Sequence, residues 1–332
     1  MAEIKDLPWE KLSGCNILVT GATGLIGSCL VDVLMQRPQK DYQVYALGRN
    51  KKRADYRFHR YISDNSFHFV EGDIIRPLTC NTSFQYIIHA ASNGSPNFFA
   101  NKPVEVMKSN LFGVSNLIEY GLGHSMKRFL YVSSGEVYGS NEAAVLDENS
   151  YGYVDILNTR SCYPSSKRAA ETLAMCYAGE NGADVVVARP CHTYGPHFTE
   201  SDNRVYAQFI RNVVSGDDIV MKSAGTQYRS WCYVEDCVSA LLYILLKGKN
   251  GEAYNIADKN SVITIRELAE MIASIAGHKV VMQVPSDSEK KGFTPIKRAV
   301  FDTAKLEALG WIVSGTMEEK LRRTIDLCRT ND

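Results

Sequence analysis

The run Asn16-Ile-Leu-Val-Thr-Gly-Ala-Thr-Gly-Leu-Ile-Gly27 constrains this chain more than any other segment. An apolar strand runs straight into three glycines at three-residue spacing and then into a helix expected over 24–36. Gly21 permits a tight turn, Gly24 lets the backbone approach a pyrophosphate, and Gly27 lets the helix pack closely on its strand. Thr23, Leu25 and Ile26 complete a turn whose helix N-terminal amides face the phosphates, so no cationic side chain is needed there. The spacing alone also fits an ordinary strand-turn-helix, and the rest of the chain has to decide between the two.

Short apolar strands alternate with amphipathic helices as far as residue 190. Strands are expected at 16–20, 43–47, 67–70, 86–89, 128–133 and 184–188, with helices at 103–123 and 163–180 among them. Such alternation specifies a parallel sheet with helices on both faces, an α/β doubly wound fold of Rossmann type. After Arg189-Pro190 a polar stretch, Cys191 to Arg204, reads as a surface loop. Helices near 204–215, 235–247, 264–276 and 316–329, with strands near 219–221 and 252–256, then form a smaller mixed α/β lobe. The expected division is a nucleotide-binding domain over 1–190, rejoined by segments near 230–258, and a substrate lobe over 191–229 and 259–332. Pro285 to Gly292, rich in Ser, Asp, Glu and Lys, reads as a flexible piece.

Hydrophobic residues make up 45% of the 332 positions, enough for a real core. Lys plus Arg equals Asp plus Glu at 37 each, so no net field recruits nucleic acid or an anionic membrane. The amino terminus carries charges where a signal peptide needs an apolar run, and no segment approaches a membrane span; the expectation is a cytoplasmic protein. Nine cysteines without a C-x-x-C pair fit neither a disulfide framework nor a zinc site. Cys191-His192 has no clustered partners, and no metal is expected.

Two further motifs carry chemistry. Val132-Ser-Ser-Gly-Glu-Val-Tyr-Gly139 follows an apolar strand, and Tyr163-Pro-Ser-Ser-Lys167 opens a helix. Tyr163 and Lys167 are one helical turn apart and share a face, so a lysine cation is expected to lower the tyrosine pKa and supply a base near neutral pH. A surface Tyr-Lys pair has the same spacing. With the glycine turn and Ser134, however, the three motifs resemble the extended short-chain dehydrogenase/reductase family, in its nucleotide-sugar epimerase, dehydratase and decarboxylase branch. The resemblance covers residue 14 to about Trp311. It implies that Tyr163 moves the substrate hydroxyl proton, Lys167 holds the nicotinamide ribose and Ser134 hydrogen-bonds the reacting oxygen. It also implies a homodimer through helices 103–123 and 163–180.

Within that branch the pattern is closest to UDP-glucuronate decarboxylases: Arg-Ser-Cys-Tyr before the helix, Asn203-Arg204-Val205, Arg229 through Asp236, and Arg298 before Trp311. Glu136 resembles the glutamate of dehydratases and decarboxylases. Dehydratases carry Asp just before it to protonate the leaving hydroxyl, and this chain has Gly135, which argues against 4,6-dehydration. Arg229 and Arg298 are candidates for gripping a diphosphate bidentately, with Arg204 on the substrate side. His192 stands where most relatives have a substrate-contacting Asn, so the sugar is left open. For the cofactor, Asp73 and Ile74, Ala90, Ala91 and Ser92, and Pro190 match cofactor-side positions. Where NAD-specific folds place an acid on the adenosine ribose, this chain has Gly48-Arg49-Asn50-Lys-Lys-Arg53, so NADP is at least as strong a candidate as NAD. The same run also reads as a solvated basic loop. The expected reaction is modification of a nucleotide-activated sugar through a transient keto intermediate, ending in epimerisation or decarboxylation. An NADPH-dependent reductase is the alternative, and a non-catalytic nucleotide-binding sensor a third.

Overall fold

Apolar runs of four to six residues pair in parallel to make the centre of the molecule. They are β1 (Asn16–Thr20), β2 (Gln43–Gly48), β3 (Phe67–Glu71), β4 (Tyr86–His89), β5 (Arg128–Val132) and β6 (Val185–Pro190). A second group follows: β7 (His192–Tyr194), β8 (Ile219–Met221), β9 (Tyr228–Tyr233), β10 (Ala253–Ile256), β11 (Asp258–Thr264), β12 (Val280–Met282) and β13 (Arg298–Ala299). The computed structural model describes residues 4, 6–284 and 296–330, so the expected flexible piece at 285–292 lies outside the described residues.

The main sheet has seven parallel strands in the order β10-β6-β5-β4-β1-β2-β3. β4 and β6 are buried along their whole length because helices cover both faces, which is why they read as unbroken apolar runs rather than alternating ones. The helices are α1 (Leu25–Met35), α2 (Lys51–Arg57), α3 (Pro96–Asn101), α4 (Pro103–Gly123), α5 (Cys162–Asn181), α6 (Val205–Val214), α7 (Val234–Lys247), α8 (Ile265–Ala276), α9 (Ala304–Glu307) and α10 (Met317–Arg329), with α1, α4, α5 and α7 packed on the main sheet. Chain order reverses direction across β1: β2 and β3 extend to one side, β4 onward to the other. A crevice therefore opens beyond the carboxyl ends of β1 and β4, the position where open α/β sheets hold ligands.

The alternative of a loop for the basic run after β2 is set aside and one sequence expectation is corrected. Asn50 accepts a hydrogen bond from the Arg53 amide and starts α2, with Arg49 just before the cap and Arg53 in the first turn. The stretch 191–204 is not all surface. β7 pairs with β9, and Thr193 to Pro196 are buried, because β9 supplies the backbone partners that a free loop would lack.

The smaller sheet joins β11, β9, β13 and β7, with β8 and β12 paired beside it. α6, α8 and α10 pack a second core on it around Trp231, Phe209 and Leu321. A buried ion cluster ties this region to the main sheet: Lys320 Nζ lies 2.7 Å from Asp236 and 3.7 Å from Asp258. All nine cysteines are free thiols. Among the described residues no helix is long and apolar enough to cross a membrane, and no group of His, Cys, Asp or Glu could hold a metal ion.

Candidate active site

The glycine turn is built by contact, not only by conformational freedom. Gly21 has φ +64°, and a Cβ there would sit 2.7 Å from Ala91 Cα and 2.8 Å from the Ala90 carbonyl oxygen. A Cβ on Gly27 would meet the Gly21 carbonyl oxygen at 2.3 Å. Ala90 and Ala91 thus form the wall that forces glycine at 21, and Ala91 N donates to Thr20 Oγ1. Gly24 is the N-cap of α1 and offers no side-chain acceptor, so the amides led by Leu25 and Ile26 are free for an anion. A dinucleotide's phosphates fit this cradle.

The ends of β2 and β3 stand beside the glycine turn. Arg53 Nη2 donates to the Thr23 carbonyl at 3.0 Å, and Arg49 Nη1 reaches Glu105 Oε1 at 3.1 Å. Asp73 Oδ1 accepts from the Ile75 amide and shapes the turn after β3, with Ile74 buried beside it. Pro190 ends β6 in the buried sheet.

Tyr163 and Lys167 project from the first turns of α5. A hydrogen-bond chain fixes that helix: Ser92 Oγ donates to Asn110 Oδ1 at 2.9 Å, and Asn110 Nδ2 donates to Ser166 Oγ at 2.8 Å. Ser134 stands beside the Tyr163 hydroxyl and favours its ionised form, and that hydroxyl lies 3.5 Å from where a Cβ on Gly94 would stand. Lys167 Nζ donates to the Val132 carbonyl at 2.8 Å and sits over the Tyr131 ring. The expected acidification of Tyr163 by Lys167 is not found. Burial, followed by the negative charge of Glu136, pushes the tyrosine up to about 12, and burial pushes Lys167 down to about 7. Neither charge is solvated in the sealed pocket, and that cost leads both shifts.

Glu136 is held bidentately by Arg160, at 3.0 and 3.1 Å. Arg160 lies over the Phe99 ring, and Phe99 stacks on Tyr163 with centroids 4.6 Å apart. Arg160 and Phe99 were not singled out from sequence; for Arg160 the signal was present in the Arg-Ser-Cys-Tyr match, while Phe99 gave none. Phe301 is a further residue without a sequence signal. A Cβ on Gly135 would lie 2.1 Å from its ring, so Phe301 fills the space where a side chain between Ser134 and Glu136 would stand.

On the substrate side, Arg229 is buried on β9. It donates to the Tyr228 and Ile296 carbonyls, and among the described residues no carboxylate pairs with it; burial lowers its pKa to about 10. Arg204 is held by Asp202 at 3.0 Å. His192 rests beside Trp231, with ring centroids 5.3 Å apart. Crowding by neighbouring atoms, then the Arg229 and Arg204 charges, lowers the His192 pKa to about 3, as burial does for sealed His89, although His192 is open to the cleft. Arg298 lies on β13 beside β9, but its guanidinium is exposed, with Nε donating to the Ala144 carbonyl.

Lys167 yields a pH test. The unfolded chain keeps its ammonium charge up to about pH 10.5, the folded chain only up to about pH 7, so wild-type stability rises with pH between those values as this one linkage is relieved. Lys167→Met removes the cost. Its stability relative to wild type should be greatest at or below pH 7 and decline toward pH 10 in urea unfolding, and a difference independent of pH would refute the buried-ammonium account.

The sequence model of the NAD dependent epimerase/dehydratase family matches residues 17–257. UDP-glucuronic acid decarboxylase 6 of Arabidopsis thaliana is 33% identical over 307 residues, covering 90% of this chain and 84% of that protein. UDP-glucuronic acid decarboxylase 1 of Xenopus tropicalis is 29% identical over 317 residues, covering 95% and 72%. Among solved structures, UDP-glucose 4-epimerase of Thermotoga maritima with UDP-glucose has a TM-score of 0.80 at 25% identity, covering 95% of this chain and 99% of that one. DesIV, the dTDP-glucose 4,6-dehydratase of Streptomyces venezuelae with NAD and TYD bound, has a TM-score of 0.82 at 25% identity, covering 95% and 97%. A match that runs from β1 to the strand closing the main sheet places this chain in the NAD dependent epimerase/dehydratase family, as an enzyme of the nucleotide-sugar epimerase, dehydratase and decarboxylase type.

Proposed function

We propose that the chain oxidises a nucleotide-activated sugar transiently and that the resulting ketone drives loss of a neighbouring carboxylate. The observation that carries this reading is the placing of Tyr163 beside Ser134, one turn before buried Lys167 on α5, at the mouth of the glycine cradle. The nicotinamide cofactor, when bound, accepts the hydrogen removed from the sugar carbon and later returns it. Tyr163 takes the hydroxyl proton, Ser134 holds the same oxygen, and Arg229, paired with no carboxylate among the described residues, offers its guanidinium to the diphosphate.

Decarboxylation asks least of these side chains. In a 4-keto uronate the C5–C6 bond breaks, carbon dioxide leaves, and the electron pair passes into the C4 carbonyl, after which C5 takes a proton. Elimination of a hydroxyl needs an acid to protonate the leaving group, and Phe301 blocks the position beside Glu136 where one would stand. Likeness to the decarboxylases supports the same outcome. Incubation with UDP-, dTDP-, CDP- and GDP-linked hexoses and uronates, with NAD or NADPH, should yield a product lighter by carbon dioxide from a uronate. Tyr163→Phe should slow it at least ~100-fold. Loss of water from a hexose would overturn the reading, and an unchanged mass with altered NMR couplings would make the enzyme an epimerase.

A second reading, net reduction of a nucleotide-linked keto sugar, is favoured by Arg49 and Arg53 at the adenosine end, since a 2′-phosphate suits them and the NADP pool is held reduced. A product heavier by two hydrogens would select it. On either reading Arg49 makes NADP(H) at least as strong a candidate as NAD(H). Arg49→Ala should then weaken NADP(H) far more than NAD(H), by the loss of a charge-assisted contact worth roughly 1.5–3 kcal/mol; equal effects in a binding titration would count against it.

The working unit in this reading is a dimer. α4 exposes Val104, Met107, Phe112 and Leu122 although it packs against α5, and a second copy of these two helices suits that face. Light scattering should give twice the chain mass, and Phe112→Arg should shift it to one.

A further inference from the structure

The carboxylate of Glu105 stands between two loops that belong to different sides of the cofactor crevice. Arg49 follows β2 and Asn93 follows β4, and in the sheet order β4-β1-β2 these strands flank the one that ends in the glycine turn. Glu105, in the first turn of α4, accepts from Arg49 Nη1 and from Asn93 Nδ2 on the same oxygen, at 3.1 Å each, with Lys102 Nζ 3.7 Å from the other. A single side chain therefore straps the adenosine end of the crevice to the loop whose next residue, Gly94, covers the Tyr163 hydroxyl.

The two guanidiniums at the adenosine end are not equivalent. Arg53 is bonded to the Thr23 carbonyl, and among the described residues no carboxylate pairs with it. Arg49 is neutralised by Glu105, yet its side chain is 55% exposed and that of Glu105 30%, so the pair is reached by water and is exchangeable. A phosphate dianion is a stronger partner for a guanidinium than a solvated carboxylate is, and the two anions repel when both crowd one cation.

Building on the reading that residues 49–53 meet the adenosine ribose, we propose that Glu105 is a cofactor-discriminating residue. It is the internal anion that occupies Arg49 in the free enzyme, and a 2′-phosphate must displace or tolerate it, so Glu105 weakens NADP(H) relative to what Arg49 and Arg53 alone would give. Its second bond, to Asn93, makes that exchange felt at the loop over Tyr163.

The test uses the full chain and two probes, adenosine 2′,5′-bisphosphate and adenosine 5′-monophosphate, in calorimetric titrations. Glu105→Gln keeps the shape and an acceptor oxygen and removes the charge. It should tighten the bisphosphate about three- to tenfold while leaving the monophosphate within about twofold, on the scale of one exposed ion pair and the repulsion it removes. In an Arg49→Ala background the gain should vanish. An unchanged or weakened bisphosphate affinity in Glu105→Gln, or a gain that persists without Arg49, overturns the proposal. The NADP reading fails separately: it falls if the wild-type chain does not distinguish the two probes, and a bisphosphate preference that emerges only in Glu105→Gln would still support the role of Glu105.

Discussion

Everything in this molecule is arranged around the contact in which the turn after β1 is pressed between α1 and the loop after β4. At Gly21 and Gly27 the distances that a Cβ would have to its neighbours are below any real van der Waals contact, and the neighbours are backbone atoms that cannot swing away. Because that packing brings α1 flush against β1, its amino terminus ends at the crevice with its amides unspent. The same closeness draws the β4 loop inward, and with it Ser92, whose hydrogen bond reaches α4 and then α5. A steric requirement at two glycines thereby sets the position of a tyrosine some 140 residues later.

The chemistry of the site follows from desolvation. Tyr163 and Lys167 are each pushed toward their neutral forms by burial, although together they form the pair that proton transfer needs. Burial favours the neutral form of each, and hydroxyls or charge brought into the pocket would offset that penalty. Arg229 repeats the pattern on the opposite wall, a buried guanidinium bonded only to carbonyls among the described residues. Three groups that are individually costly to bury converge on one cleft, and such costs are sustained where binding relieves them.

Much of the fold was legible because burial on both sheet faces leaves unbroken apolar runs, and because glycine is demanded by contact at 21 and 27. β1 to β6, α4 and α5 stand within a residue or two of their expected bounds. What the sequence hid depends on partners distant in the chain. β7 looked like loop because its three residues are ordered by β9, thirty-odd residues on, and Lys51–Arg57 looked like a basic loop because a single Asn cap outweighs its charge density. Phe301 was invisible for the same reason: its role is to fill the absent side chain of a glycine 166 positions earlier, and only the fold puts them together. The tyrosine pKa was misjudged because helical spacing reports proximity to Lys167 but says nothing of the seal around both.

The Ser92–Asn110–Ser166 chain has a consequence for how such a protein diverges. These three side chains align the amino end of α5: loss of Ser92 or of Ser166 strands part of the buried Asn110 amide at about 1–3 kcal/mol, while Ser166 has further bonds to the Cys162 and Tyr163 carbonyls. His192, Trp231 and Arg229 hang on a separate sheet, with its own core and its own tether through Lys320. The two walls of the crevice therefore rest on separate supports, so side chains on β7 and β9 can be replaced without disturbing the bonds that align Tyr163 across from them.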